Sequence, residues 1–121
     1  MKKILVVDDD EDLADIVKYI LKLKGFNVIT HSTGVNVPEV VRRSNPNLVL
    51  IDIRLYGESG TDICRKLKRR YDIPIVLFSG DTRQGKTFAD CHADGFIEKP
   101  FNVDQLVNTI NLHLKYYKAE A

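Results

Sequence analysis

The sequence predicts an α/β fold: a doubly wound, five-stranded parallel sheet with helices on both faces. Three observations carry that expectation. Short apolar runs alternate with amphipathic segments along the whole chain, with no internal repeat or linker between them. The runs at 3–7, 47–52 and 73–79 (KILVV, NLVLID, IPIVLFS) are nearly continuous in apolar residues rather than alternating. That pattern marks strands covered on both faces, as in a parallel sheet. Finally, 121 residues with 44% hydrophobic and 29% charged side chains suit one domain around one sheet.

The elements follow in order. Residues 3–7 form the first strand, and 10–25 an amphipathic helix. In that helix Leu13, Ile16, Val17, Ile20 and Leu21 recur at helical spacing, Asp10 caps the start and Gly25 closes the end. FNVIT (26–30) is the second strand. A short helix over 37–43 has Asn36 as its cap and Pro38 in its first turn. The third strand, 47–52, leads to a helix over 61–70, and the fourth strand spans 73–79. A weaker helix is expected over 83–92, where Gly85 counts against it, and GFIEK (95–99) is the fifth strand. The last helix is the clearest: Asn102 and Gln105 have capping-box spacing, and Val103, Leu106, Val107, Ile110 and Leu114 form its apolar stripe.

Bulk properties exclude several classes. A formal net charge of +1 gives no electrostatic footprint for nucleic acid, so direct nucleic-acid binding is not expected. The basic run Arg65, Lys66, Lys68, Arg69 and Arg70 reads as the solvated face of a helix. No apolar stretch is long enough for a signal-peptide core or a membrane span, which points to the cytoplasm and away from membranes. Cys64 and Cys91 lack CxxC spacing and read as core residues, and His31, His92 and His113 are scattered without ligand or triad spacing.

Open parallel sheets carry their sites at the carboxyl ends of the strands, near the point where strand order reverses. There this sequence places Asp8 and Asp9 after strand one, Asp52 at the end of strand three, Ser79 at the end of strand four, and Lys99 at the end of strand five, followed by Pro100. Asp10, Glu11 and Asp12 have a simpler explanation as the acidic start of a helix. Three converging carboxylates suit a hard cation with oxygen ligands, and Mg²⁺ typically takes one or two carboxylates, waters and a phosphate. Lys99 supplies a point charge for a phosphoryl oxygen, and Ser79 a hydroxyl donor. Asp52, alone at its strand end, is the natural nucleophile for phosphorus, giving an acyl phosphate.

The segments ILVVDDDEDL, LVLIDIRL, IVLFSG and GFIEKPF, in that order, resemble the receiver domain of two-component response regulators, over roughly residues 2–115. The resemblance implies a flavodoxin-like strand order, 2-1-3-4-5, with residues 1–118 as the receiver domain and 119–121 as a tail or truncated linker. It implies Asp52 as the phosphoacceptor, served by a histidine kinase or histidine phosphotransfer protein. It implies Mg²⁺ held by Asp8, Asp9, Asp52 and the carbonyl of Arg54. Lys99 matches the phosphate-binding lysine, Ser79 the switch hydroxyl and Phe96 the aromatic switch position, and the Lys99–Pro100 bond is expected to be cis. The implied protein is not an enzyme in the ordinary sense but a phosphoacceptor that assists its own phosphorylation and dephosphorylation. Its output, to an attached domain or a partner protein, is expected through the face of the fourth helix, fifth strand and fifth helix.

The sequence departs from that pattern. Tyr56 stands where receivers usually have proline, and the Asp52–Ser79 and Ser79–Lys99 spacings are short, the second at the expense of the weak 83–92 helix. Arg54 and Asp81, each two residues past a site residue, are further expected to pair across the pocket mouth and hinder hydrolytic water. Two alternatives remain: an inert receiver-like interaction module, opposed by the full set Asp8, Asp9, Asp52, Ser79 and Lys99, and a Mg²⁺-dependent phosphohydrolase, opposed by the absence of an Asp-x-Asp-Thr pattern after strand one.

Overall fold

The computed structural model describes residues 1–80 and 91–120, with side chains as far as Lys115. Five strands, β1 (Lys3–Val7), β2 (Asn27–His31), β3 (Leu48–Asp52), β4 (Ile75–Ser79) and β5 (Gly95–Glu98), form one parallel sheet in the order β2-β1-β3-β4-β5. The described helices are α1 (Glu11–Leu23), α2 (Val37–Ser44), α3 (Gly60–Arg70) and α4 (Val103–Glu120).

Side-chain parity along the strands divides the core into two layers. Ile4, Val6, Leu48, Leu50, Val76, Phe78 and Ile97 face one way and pack against Ala14, Val17 and Leu21 of α1 and Leu106 and Ile110 of α4. Leu5, Val7, Val49, Ile51, Ile75 and Leu77 face the other way, against Val37 and Val41 of α2 and Ile63, Cys64 and Leu67 of α3. The three strands whose runs are nearly all apolar are thus the ones buried on both faces. Because every neighbour is parallel, all five carboxyl ends lie along one edge.

Local chemistry sets the element ends. The Asp10 side chain accepts from the N–H of Leu13 at 3.1 Å, capping α1. Gly25 follows α1 with φ +92°, and the Phe26 N–H returns to the Leu21 carbonyl. That bond ties Phe26 to the helix end, so β2 starts at Asn27 rather than at 26. Ser59 caps α3, accepting from the Asp62 N–H at 3.3 Å. At α4 the expected box closes in both directions: Gln105 N–H to Asn102 Oδ1 at 2.8 Å, and Asn102 N–H to Gln105 Oε1 at 3.0 Å.

Several expectations need correction. Asn36 adopts a left-handed φ of 63° and makes no side-chain cap bond; only its carbonyl joins α2, accepting from the Val40 N–H. Ile16 on α1 and Val103 on α4 are exposed, because each sits at the edge of its stripe, outside the width that the sheet covers. β4 begins at Ile75, since Pro74 has no N–H to give the ladder. Cys91 and His92 lie in a turn, not a helix, with His92 at φ 63°; the rest of the 83–92 helix falls outside the described residues, as does Asp81 and hence its pairing with Arg54.

Candidate functional site

The carboxyl edge gathers the acidic residues. Asp8 and Asp9 leave β1, Asp52 ends β3, and one carboxylate oxygen from each lies within 4.8 Å of the other two. Asp8 and Asp52 are buried and Asp9 is exposed. The triple aspartate therefore divides its labour: Asp10 caps α1, Asp8 turns inward and Asp9 faces the open side. Asp8 Oδ1 accepts from the Asp10 N–H at 2.9 Å, so the start of α1 orients it.

Lys99 is the counter-charge. Its Nζ lies 3.2 Å from Asp8 Oδ2 and 3.2 Å from Asp52 Oδ2, bridging the two strand ends. It also stands 4.4 Å from the centroid of the Phe78 ring, which in turn meets Phe101 edge-on. The Lys99 N–H bonds to the Ser79 carbonyl at 2.8 Å, and the Lys99–Pro100 peptide is cis. One ammonium thus bridges two of the three carboxylates. Burial pushes the Asp52 carboxyl above its ordinary value; Lys99 opposes that shift and Asp8 adds to it. Such a donor set fits a hard divalent cation, which would add positive charge beside the three carboxylates.

The other expected residues fall around this centre. Arg54 is exposed, and its N–H bends back to Asp52 Oδ1 at 3.3 Å. With Asp9, Tyr56, Ser59 and Thr61 it lines an open depression of about 610 Å³. Ser79 is buried at the end of β4, in register with Glu98 of β5. Phe96 is half-buried on β5, on the α2–α3 side of the sheet.

Two contributors escaped the sequence reading. Phe78 forms the floor beneath the Lys99 ammonium, a place that strand parity next to Ser79 was able to show. Gly60, the first residue of α3, donates its N–H to Ile53 at 2.8 Å and lies against the backbone of Asp52. A Cβ there would overlap the Asp52 carbonyl oxygen and lie 2.8 Å from the Ile53 Cα.

A parallel sheet of this order, with clustered carboxylates and a lysine at its carboxyl edge, suits phosphoryl-accepting chemistry beside a divalent cation. The sequence model of the response regulator receiver domain matches residues 4–111, and the chain belongs to that family. Solved structures agree. A CheY-like response regulator receiver domain protein from Methanospirillum hungatei is 29% identical over 100% of this chain and 99% of its own, with a TM-score of 0.92. The BeF3-activated receiver domain of RstA from Klebsiella pneumoniae is 29% identical over 94% of this chain and 99% of its own, with a TM-score of 0.90. The response regulator TrrA from Thermotoga maritima, solved in complex with Mg²⁺ and BeF, is 28% identical over 93% of this chain and 98% of its own, with a TM-score of 0.86. The protein is therefore a receiver domain of the two-component type, and its Asp8–Asp9–Asp52 pocket fits the family's phosphoacceptor site. No helix among the described residues is long and apolar enough to cross a membrane.

Proposed function

We propose that Asp52 accepts a phosphoryl group from the phosphohistidine of a histidine kinase or phosphotransfer protein, in a Mg²⁺-dependent reaction. The observation that carries this reading is the cluster itself: three carboxylates within 4.8 Å, two of them paired with one ammonium. An Asp52 carboxylate oxygen attacks phosphorus, the P–N bond breaks, and the electron pair leaves with the imidazole nitrogen, which takes up a proton. Asp8, Asp9, Asp52 and the Arg54 carbonyl would hold Mg²⁺, which when bound offsets the charge on the transferring oxygens. The Lys99 ammonium, already on Asp52, turns to a phosphoryl oxygen as the acyl phosphate forms.

The same residues supply the switch. Phosphorylation adds charge and strong acceptor oxygens at the end of β3. The Ser79 hydroxyl, at the next strand end, donates to one of them, and the space it leaves admits the Phe96 ring. The phosphoryl group thereby biases a two-state equilibrium. Phe96 also lines a groove of about 420 Å³ with Glu98, Pro100, Gln105, Asn108 and Thr109, on the β5–α4 face where we place the output domain or partner protein.

The chain turns over no separate substrate in this reading; it acts on its own acyl phosphate. We place the domain in the cytoplasm, where thiols such as those of the buried Cys64 and Cys91 stay reduced.

The test is beryllofluoride with Mg²⁺, followed by NMR. The reading predicts shifts at Asp52, Ser79, Phe96 and Lys99 that Asp52→Asn abolishes. An unresponsive wild type would favour an inert interaction module, and sustained phosphate release from acetyl phosphate would favour a hydrolase.

A further inference from the structure

The loop after β3 carries Arg54 and Tyr56, and it is held from outside. The Gly34 N–H, in the loop after β2, donates to the Tyr56 carbonyl at 2.7 Å. Gly34 is buried, and a Cβ on it would overlap the Glu58 carbonyl oxygen and lie 2.8 Å from the Glu58 nitrogen and 3.0 Å from the Tyr56 oxygen. Gly57, at φ +99°, faces back: a Cβ there would come within 2.7 Å of Val35 Cγ2. The two glycines let the loops interlock backbone against backbone. The β2 side is itself anchored to the acidic cluster, because the Asp8 N–H bonds to the His31 carbonyl at 3.1 Å and the His31 ring bonds to the Val35 carbonyl at 2.7 Å.

We infer that Gly34 is a positioning residue for the divalent-cation site. Its missing side chain lets the loop after β2 hold the loop after β3, and with it the Arg54 carbonyl, against the Asp8–Asp9–Asp52 carboxylates. Gly57 completes the same clip from the other side. This inference rests on the reading of the Arg54 carbonyl as a cation ligand. The clip touches neither the cation nor the phosphoryl group, so it acts only through the placement of that loop.

Gly25 provides an internal control. It has nearly the same φ as Gly57, +92°, but a Cβ on it meets nothing within 4 Å, and it follows the end of α1. Gly25→Ala therefore strains the backbone without touching the clip. Gly57→Ala adds the Val35 collision, which Val35→Ala removes.

The experiment is a Mg²⁺ titration of the whole chain, followed by calorimetry and NMR, on wild type and these variants, with melting temperatures recorded in chelator. The Mg²⁺ dissociation constant should rise about 10–100-fold in Gly34→Ala, the range seen when groups that orient ligands are lost. It should rise in Gly57→Ala, recover partly in Val35→Ala/Gly57→Ala, and stay at the wild-type value in Gly25→Ala despite a lower melting temperature. If Gly34→Ala does not fold, the Gly57 pair decides. Wild-type binding with unchanged affinity in Gly57→Ala and in any folded Gly34→Ala overturns this inference alone. A wild type that does not bind Mg²⁺ overturns the cation reading and this inference with it.

Discussion

Replacing Asp52 by asparagine should make the metal-free protein more stable. Asp52 and Asp8 share one ammonium, each with an oxygen 3.2 Å from Lys99 Nζ. At an effective dielectric of 20 that attraction is about 5 kcal/mol for Asp52, against a repulsion from Asp8 of at least about 3.5 kcal/mol for oxygens within 4.8 Å of each other. In the variant both vanish, and Lys99 pairs with Asp8 alone. What remains is the burial of an ionised Asp52 and its repulsion from Asp9, and both favour the amide. We expect a gain of roughly 1–2 kcal/mol at neutral pH in chelator, or about 3–8 °C in melting temperature. The sign in pH follows from the raised Asp52 pKa. Below the ordinary value of 3.8 the carboxyl is protonated in both folded and unfolded chains, and wild type and variant converge. As pH rises through the folded-state value, only the wild type loses stability. Magnesium should reverse the order: at a hundredfold excess over its dissociation constant it stabilises the wild type by about 2.7 kcal/mol, and a variant lacking one ligand by less. Thermal melts across pH, with and without Mg²⁺, measure all of this. A variant less stable than wild type in chelator, or with the same pH dependence, would refute the reasoning.

Lys99→Met leaves two buried carboxylates without their cation. It should cost about 2 kcal/mol in chelator, below the 3–5 kcal/mol of a fully buried pair because the Lys99 side chain keeps 21% of its exposure. The same change should tighten Mg²⁺ binding, by calorimetry, since the repulsion between ammonium and cation is gone. Gly60→Ala forces a methyl into the Asp52 backbone and should lower stability by about 3 kcal/mol or prevent folding, read by urea denaturation. Asn102→Ala removes one half of the α4 capping box and should cost about 1 kcal/mol in the same assay without changing Mg²⁺ affinity.

The layered fold was legible because burial on both faces leaves a mark that needs no partner: Leu5 and Val6 are both apolar, yet they face opposite layers. The acidic cluster was legible for a related reason, since parallel strands must end at one edge, which brings Asp8, Asp9 and Asp52 together. What escaped depends on contacts between distant segments. Nothing in the spacing of Gly34 and Tyr56 announces a 2.7 Å bond between their loops, and nothing near Gly60 announces the Asp52 backbone beneath it. Asn36 misled because asparagine serves equally as a side-chain cap and as a left-handed residue, and here it is the second. Ile16 misled because helical spacing gives the direction of a stripe but not the width that the sheet covers.

The most direct test is reductive trapping. The chain is incubated with acetyl phosphate and Mg²⁺, treated with borohydride, which reduces an aspartyl phosphate to homoserine, and mapped by peptide mass. We predict homoserine at position 52 alone, and none in chelator. Homoserine at another aspartate, or equal labelling without Mg²⁺, would contradict the assignment of Asp52 as phosphoacceptor in a cation-dependent site.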